Sequence, residues 1–217
     1  MQPSELRVTP DLTPSIQPII SKALLPISLI SIKRQMNMKK IIVFLAEGFE
    51  EIEAISIIDV LRRAEISVTT VSINNNNVVK GAHNIEVKTD KLFDEVDFNN
   101  YDMIALPGGM PGAKNLNEHE GLKEQLKEFA KDKLIAAICA APMVLGGMGL
   151  LKGKRATCYP GFEPELIEAN ITNEPVTVDG NMITGKGPAF ALQFSLQLID
   201  TIAGKATRDD IANALLM

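Results

Sequence analysis

Residues 134–149 read LIAAICAAPMVLGGMG, and this stretch decides the fold because it joins a buried strand to a helix. Leu134 to Ile138 are five consecutive apolar residues, which is typical of a parallel strand covered on both faces. Pro142 suits the first turn of a helix, where its missing N–H group is not needed and its φ angle is already helical. Cys139 therefore lies at the predicted junction between strand and helix.

A cysteine at such a junction has two interpretations. The positive end of the helix dipole and the free backbone N–H groups favour a thiolate, which makes Cys139 a candidate nucleophile. A cysteine in an apolar strand is, by contrast, usually a small packed core residue. The rest of the chain decides between them.

The composition predicts one α/β domain and argues against several kinds of partner. The chain has 217 residues, of which 46% are hydrophobic, enough for one sizeable core. A net charge of −5 and 5% aromatic residues argue against nucleic acid as a partner. The two cysteines form no CxxC pair, so neither a disulfide framework nor a zinc site is expected, and a reducing compartment is favoured.

The first 37 residues differ from the rest of the chain. They contain several prolines and follow neither a helical nor an alternating period, and their apolar part is too short to span a membrane. We expect residues 1–37 to be a disordered leader, either a mis-annotated start or a transit peptide, and residues 38–217 to be a single domain. The expected location is cytoplasmic, or an organelle if the leader is a genuine transit peptide.

The segment 49–64, FEEIEAISIIDVLRRA, is predicted to be an amphipathic helix. Its apolar side chains Ile52, Ile55, Ile58 and Leu61 recur at three-residue steps, and we expect them to form the face that packs on the core.

Strands and helices alternate along most of the chain. The predicted strands are 40–46, 66–73, 101–107, 134–138 and 154–159, the last containing Cys158, together with a hairpin at 176–184 that turns at Asp179-Gly180. The further predicted helices are 119–132, 164–170 and 189–203. This alternation predicts an open, mostly parallel sheet with helices on both faces.

The carboxyl ends of such strands are where ligands bind. Glu53, the pair Gly108-Gly109 and Cys139 follow the ends of three different predicted strands, and glycines there permit close backbone approach. The glycines lack the spacings of a nucleotide phosphate site, so such a site is weakly supported. The convergence favours Cys139 as a nucleophile.

A cysteine nucleophile usually needs a base or a partner that lowers its pKa, together with hydrogen-bond donors for an oxyanion. The only histidines are His83 and His119, and neither has an obvious place in a triad. Glu53, if buried, could hold its proton and hydrogen-bond the thiolate, which would lower the pKa of the thiol. The backbone N–H groups of Gly109 and Ala140 are the predicted oxyanion donors.

Four sequence pieces resemble one family. AEGFEEIEA, LPGGMPGAKNL, AAICAAP and GKGPAF, in this order, resemble the ThiJ/PfpI superfamily, and within it the branch that contains the parkinsonism-associated protein deglycase. The resemblance covers Lys39 to the C-terminus. It implies a flavodoxin-like fold with a nucleophile elbow at Cys139, no cofactor, and a homodimer whose interface includes the helix bearing Asp59 and Arg63.

The resemblance also implies roles for individual residues. The reactive cysteine of the family corresponds to Cys139 and its acid partner to Glu53. The glycine pair with an oxyanion amide corresponds to Gly108-Gly109, and the second amide to Ala140.

The sequence departs from the family pattern at two positions. Ala140 stands where the protease-like branch has a histidine, which argues against an intracellular cysteine peptidase. Tyr159 stands where the deglycase branch often has a histidine, and a tyrosine hydroxyl cannot act as a base at neutral pH. Cys158, beside it, is a candidate to resolve an oxidised Cys139. Gly108, Tyr159, Cys158 and His83 are the candidate residues of a substrate pocket.

Two functions follow as hypotheses. The first is a cysteine-dependent glyoxalase or protein deglycase that acts on small reactive dicarbonyls or on glycated side chains and counters carbonyl or oxidative stress. The second is a non-enzymatic redox sensor or chaperone in which Cys139 is oxidised to a sulfinate held by Glu53 and the helix N-terminus.

Overall fold

The computed structural model describes residues 38–217, and a seven-stranded sheet is the centre of this part of the chain. The strands, in chain order, are β1 (Lys40–Leu45), β2 (Ser67–Ser72), β3 (Val78–Lys80), β4 (Glu86–Lys88), β5 (Lys91–Leu92), β6 (Met103–Leu106), β7 (Leu134–Ile138), β8 (Arg155–Ala156), β9 (Asn170–Ile171), β10 (Val176–Asp179) and β11 (Met182–Gly185). The large sheet has the order β10-β11-β7-β6-β1-β2-β5, while β3–β4 and β8–β9 form separate pairs. All neighbours in the large sheet are parallel except those of the β10–β11 hairpin. The mostly parallel sheet and the hairpin at Asp179-Gly180 are thus confirmed.

Helices cover both faces of this sheet. The α-helices are α1 (Glu51–Arg63), α2 (Gly112–Glu118), α3 (Glu120–Asp132), α4 (Pro142–Gly147), α5 (Ala191–Ala203) and α6 (Lys205–Ala214), and short 3₁₀ turns occupy Phe93–Glu95, Phe98–Asn100, Glu163–Glu165 and Pro188–Phe190. One apolar core contains side chains of α1 and α5, and the other contains side chains of α2, α3 and α4. Because β1, β6 and β7 lie between the two cores, their uninterrupted apolar sequences are buried on both sides.

Strand register brings the ends of three central strands to one edge. Leu106 near the end of β6 is level with Ala137 in β7, and Gly185 at the end of β11 is level with Ile138. The residues that follow these strands therefore meet at the carboxyl edge of the sheet, as the sequence predicts.

The predicted core face of α1 is wrong in part. Ile52 and Ile55 are 59% and 44% exposed, whereas Ile57, Ile58 and Leu61 are buried. Each step of three residues turns an α-helix by about 300°, so a strict three-residue repeat drifts by about 60° per step. Over nine residues this drift places Ile52 on the opposite side of α1 from Leu61.

Two elements after α4 also differ from the prediction. The predicted strand 154–159 contains only β8, so Cys158 lies beyond the strand. The predicted helix at 164–170 is a 3₁₀ turn at Glu163–Glu165 followed by a turn into β9. Glu168 has a φ of 57°, in the left-handed region, and a right-handed helix cannot continue through that conformation.

Residues Met38–Met217 form one compact unit, whereas the predicted leader, 1–37, lies outside the described residues. None of the helices within 38–217 is long and apolar enough to cross a membrane.

Candidate active site

Cys139 occupies the predicted junction between β7 and the turn that leads into α4. Its φ is 65°, a conformation that a residue with a Cβ rarely adopts and that is often found at functional sites. Two backbone hydrogen bonds hold it there: Cys139 N–H donates to Gly185 O (2.9 Å), and Tyr159 N–H donates to Cys139 O (2.8 Å). The residue is 7% exposed, so the sulfur lies at the bottom of the site rather than on an open surface.

Glu53 reaches the same place from the first turn of α1 and is fully buried. Its backbone N–H donates to Glu50 Oε2 (2.7 Å), which caps the helix, and its own Oε2 accepts from Gly108 N–H (2.8 Å). The other oxygen, Oε1, is buried and has no nitrogen or oxygen partner among the described residues. The thiol of Cys139 is the remaining polar neighbour of this carboxyl group.

The pKa values of the two side chains depend on each other. Burial raises the pKa of Glu53 to about 7, against the lowering effect of hydrogen bonds from Cys139 and from Gly108 N–H. Burial also raises the pKa of Cys139, and a negative charge on Glu53 raises it further, whereas the N–H groups of Gly109 and Ala140 lower it. An ionised Glu53 therefore disfavours the thiolate, and the expectation that Glu53 lowers the pKa of the thiol applies to the protonated acid alone. It requires the proton to stay on Glu53, so that the carboxyl group donates to a thiolate.

The glycine pair is needed for close approach. A Cβ atom on Gly108 would lie 2.6 Å from Cys139 Cβ, 2.8 Å from Glu53 Oε2 and 2.9 Å from Ile138 O. Gly109 has a φ of 89°, and a Cβ atom there would lie 2.4 Å from Glu50 N. Only glycine at both positions lets the loop after β6 pass between Cys139 and the start of α1.

The predicted oxyanion donors face the thiol. The backbone N–H groups of Gly109 and Ala140 both interact with Cys139. Two converging N–H groups are suited to stabilise negative charge on the sulfur or on an oxygen bonded next to it. Their role in a reaction remains a prediction.

Of the candidate pocket residues, Tyr159 is hydrogen-bonded to Cys139 through its backbone, and Cys158 precedes it in sequence. Tyr159 is 45% exposed and bonded through its N–H to Cys139, and its ring lies beside Gly187. Cys158 is a buried free thiol, and burial together with the charge of Glu163 raises its pKa to about 11.

His83 contacts Glu51 on the outer side of α1. Its N–H donates to Glu51 Oε1 (2.6 Å), and its Nδ1 lies 2.8 Å from Glu51 Oε2; this hydrogen bond raises the pKa of His83. Donor atoms of Glu50, Glu51 and His83 lie within 4.8 Å of one another, a group of a kind that can hold a metal ion. This group could not be predicted from a local sequence pattern, because His83 comes from the β3–β4 hairpin, far from α1 in sequence.

Known proteins share this fold and much of this sequence. The DJ-1/PfpI family matches residues 39–201. The chain is 37% identical over 191 residues to Protein DJ-1 homolog B of Arabidopsis thaliana, covering 87% of this chain and 44% of that protein, so it spans less than half the length of that relative. It is 31% identical over 191 residues to the glutathione-independent glyoxalase DJ-1 of Schizosaccharomyces pombe, covering 83% of this chain and all of that protein.

A solved structure agrees with these matches. The structure of oxidised Toxoplasma gondii DJ-1 superposes on this one with a TM-score of 0.79, and the two sequences are 40% identical. The match covers 82% of this chain and 98% of the Toxoplasma gondii chain. This similarity confirms the flavodoxin-like α/β fold that the resemblance implied. The chain belongs to the DJ-1/PfpI family.

Proposed function

We propose that this protein is a cysteine-dependent glyoxalase that converts small reactive dicarbonyls into 2-hydroxy acids. The observation that carries the proposal is the fully buried Glu53, whose carboxyl group is hydrogen-bonded to the thiol of Cys139 at its strained turn. An isomerisation between adjacent carbons requires a proton to move from one carbon to the other. A buried acid beside a thiol can carry that proton without the help of water. The name of the fission yeast relative, a glutathione-independent glyoxalase, supports the same reaction.

The first step is addition of sulfur to the aldehyde carbon. The pair Cys139 and Glu53 holds one proton, with the thiolate as nucleophile and the acid protonated. As the S–C bond forms, the aldehyde oxygen takes the proton of Glu53 and a hemithioacetal results. The N–H groups of Gly109 and Ala140 stabilise the oxygen while it carries negative charge.

The second step moves hydrogen between the two carbons. Glu53, now a carboxylate, removes the proton from the former aldehyde carbon to give an enediolate and returns it to the former ketone carbon, while the hydroxyl proton passes from the former aldehyde oxygen to the former ketone oxygen. The aldehyde carbon is thereby oxidised to a thioester and the ketone carbon reduced to an alcohol, so no external oxidant is needed. Water then cleaves the C–S bond, which releases the 2-hydroxy acid and leaves one proton on the Cys139–Glu53 pair.

Early glycation adducts are a second substrate class for the same site. In such an adduct the former aldehyde carbon carries an amine of a protein side chain. Attack by Cys139 forms the S–C bond as the C–N bond breaks, and the amine leaves with a proton. The product is the same hemithioacetal, so deglycase activity would need no further residues.

The test is consumption of methylglyoxal in buffer free of glutathione. We expect turnover by the wild type and a fall in kcat of at least about 100-fold in Cys139→Ala, since the nucleophile is lost. Cys158→Ala is the matched control, because it removes the other buried free thiol, which does not line the pocket formed by Tyr159 and Phe190, and it should keep its activity. A wild type no faster than Cys139→Ala would end the proposal.

A redox sensor or chaperone is the second candidate function. The Toxoplasma gondii relative was solved in an oxidised form. Here the N–H groups of Gly109 and Ala140 are placed to hold a sulfinate on Cys139. Mild peroxide should then oxidise Cys139 selectively, and equal oxidation of Cys158, read by mass spectrometry, would count against this function.

We also propose that the protein is a homodimer through α1. Ile52 and Ile55 are large apolar side chains exposed on this helix, and exposed apolar surface often marks an interface. The resemblance assigned this helix to the dimer interface, and it carries an ion pair between Asp59 and Arg63 (2.7 Å).

A further inference from the structure

An apolar pocket of about 170 Å³ opens beside the turn of Cys139. Its surface is almost entirely carbon and is formed by Tyr159, Pro160, Lys186, Gly187, Pro188 and Phe190. An apolar cavity of about 150 Å³ is large enough to hold a benzene molecule. The pocket can therefore hold an aryl group or a branched alkyl group of similar size.

Direct hydrogen bonds fix the walls of the pocket to the nucleophile. Tyr159 N–H donates to Cys139 O, and Cys139 N–H donates to Gly185 O, two residues before Gly187. A Cβ atom on Gly187 would lie 3.1 Å from the ring of Tyr159, so this ring packs closely on the backbone of the opposite wall. Two walls of the pocket are thus held at the backbone of Cys139, one on each side of this residue's peptide groups.

The charge of the one lysine in the walls is held outside the pocket. Lys186 Nζ donates to Asn173 O (3.1 Å), so the side chain contributes its aliphatic stem to the lining. The two aromatic rings, Tyr159 and Phe190, offer faces and edges to which another ring can pack. The lining therefore favours a neutral, apolar group over a charged one.

We propose that this pocket binds the substituent on the ketone carbon of the substrate, so that the protein prefers 2-oxoaldehydes with an aryl or bulky alkyl group to methylglyoxal. This inference rests on the proposed function of Cys139. Cys139 reacts at the aldehyde carbon of every substrate. The selectivity between substrates comes from burial of the substituent on the ketone carbon. A methyl group covers little of this surface, whereas a phenyl group displaces water from most of it.

The experiment compares phenylglyoxal with methylglyoxal in wild type, Phe190→Ala and Leu192→Ala. Leu192 is the matched control, because it is an exposed apolar residue in the next helical turn that does not line the pocket. We expect the kcat/KM ratio of phenylglyoxal to methylglyoxal to fall about tenfold in Phe190→Ala and to stay within twofold in Leu192→Ala. Phe190→Leu, which keeps part of the apolar wall, should give an intermediate ratio.

A second readout separates this inference from the proposed function. Iodoacetanilide and iodoacetamide both alkylate Cys139, with formation of an S–C bond and loss of iodide, and neither needs turnover. Their rate ratio at Cys139, normalised to the ratio for glutathione, should fall at least about fivefold in Phe190→Ala and stay constant in Leu192→Ala.

The outcomes are distinct. A fall in the alkylation ratio without turnover of either dicarbonyl supports the pocket and refutes the glyoxalase. Turnover by the wild type with unchanged ratios in Phe190→Ala refutes the pocket and leaves the glyoxalase standing. Absence of turnover together with an unchanged alkylation ratio refutes both.

Discussion

Replacing Gly108 by alanine tests the close approach on which the site depends. The added methyl group would lie 2.6 Å from Cys139 Cβ, 2.8 Å from Glu53 Oε2 and 2.9 Å from Ile138 O. Carbon atoms in good contact are about 3.5–4.0 Å apart, so at least one of these groups must move by about 1 Å. The backbone oxygen of Ile138 is held at the end of β7, so the displacement falls mainly on the two side chains.

The magnitude follows from that displacement. Extra methyl groups in a well-packed interior cost about 1–3 kcal/mol, so the free energy of unfolding should fall by that amount. A misplacement of about 1 Å between reacting groups costs about 100-fold in rate. We therefore expect Gly108→Ala to fold but to lose about 99% of its kcat/KM for methylglyoxal.

The assays are urea unfolding and methylglyoxal turnover, with Gly147→Ala as the control. Gly147 lies in α4, and a Cβ atom there would meet nothing within 4 Å. This control should be as stable as the wild type or about 0.4–1 kcal/mol more stable, with unchanged activity. A Gly108→Ala protein with the stability and turnover of the control would refute the role of close packing at Gly108.

Two further predictions concern stability and assembly. The raised pKa of Glu53 makes the folded state most stable below pH 4.5, where the carboxyl group is protonated in both the folded and the unfolded state. About 3 kcal/mol of the free energy of unfolding is lost as the pH rises from 4.5 through 7, because the unfolded state ionises first. Urea unfolding of Glu53→Gln between pH 4.5 and 8 should lack this slope, and curves parallel to the wild type would contradict it. Ile52→Glu should halve the mass measured by light scattering, whereas Val178→Glu, at an exposed site on β10, should not. A monomeric wild type would refute the dimer.

Much of the fold could be predicted because the central strands are buried on both faces. The predicted strands at 40–46, 101–107 and 134–138 are rich in consecutive apolar residues, and each coincides with a central strand of the sheet. The rule that ligands bind at the carboxyl ends of strands then indicated Gly108 and Cys139 as neighbours, and the structure brings them together.

The details that the sequence did not predict depend on distance and on long-range contacts. The outward position of Ile52 follows from helical drift and from the place where α1 meets the sheet. The contact between His83 and Glu51 joins residues 32 positions apart. The sequence analysis left the burial of Glu53 as a condition, because burial depends on packing against residues distant in sequence such as Gly108.

The pH dependence of Cys139 alkylation in wild type and Glu53→Gln tests the central claim most directly. Cys158, the other buried free thiol, whose pKa burial and the charge of Glu163 raise, is the internal reference. If a protonated Glu53 donates to the thiolate, the weaker amide donor of glutamine should shift the alkylation midpoint of Cys139 upward by about one pH unit or more. A downward shift would mean that Glu53 is ionised and repels the thiolate, and an unchanged midpoint would remove Glu53 from the mechanism; either result would contradict the account.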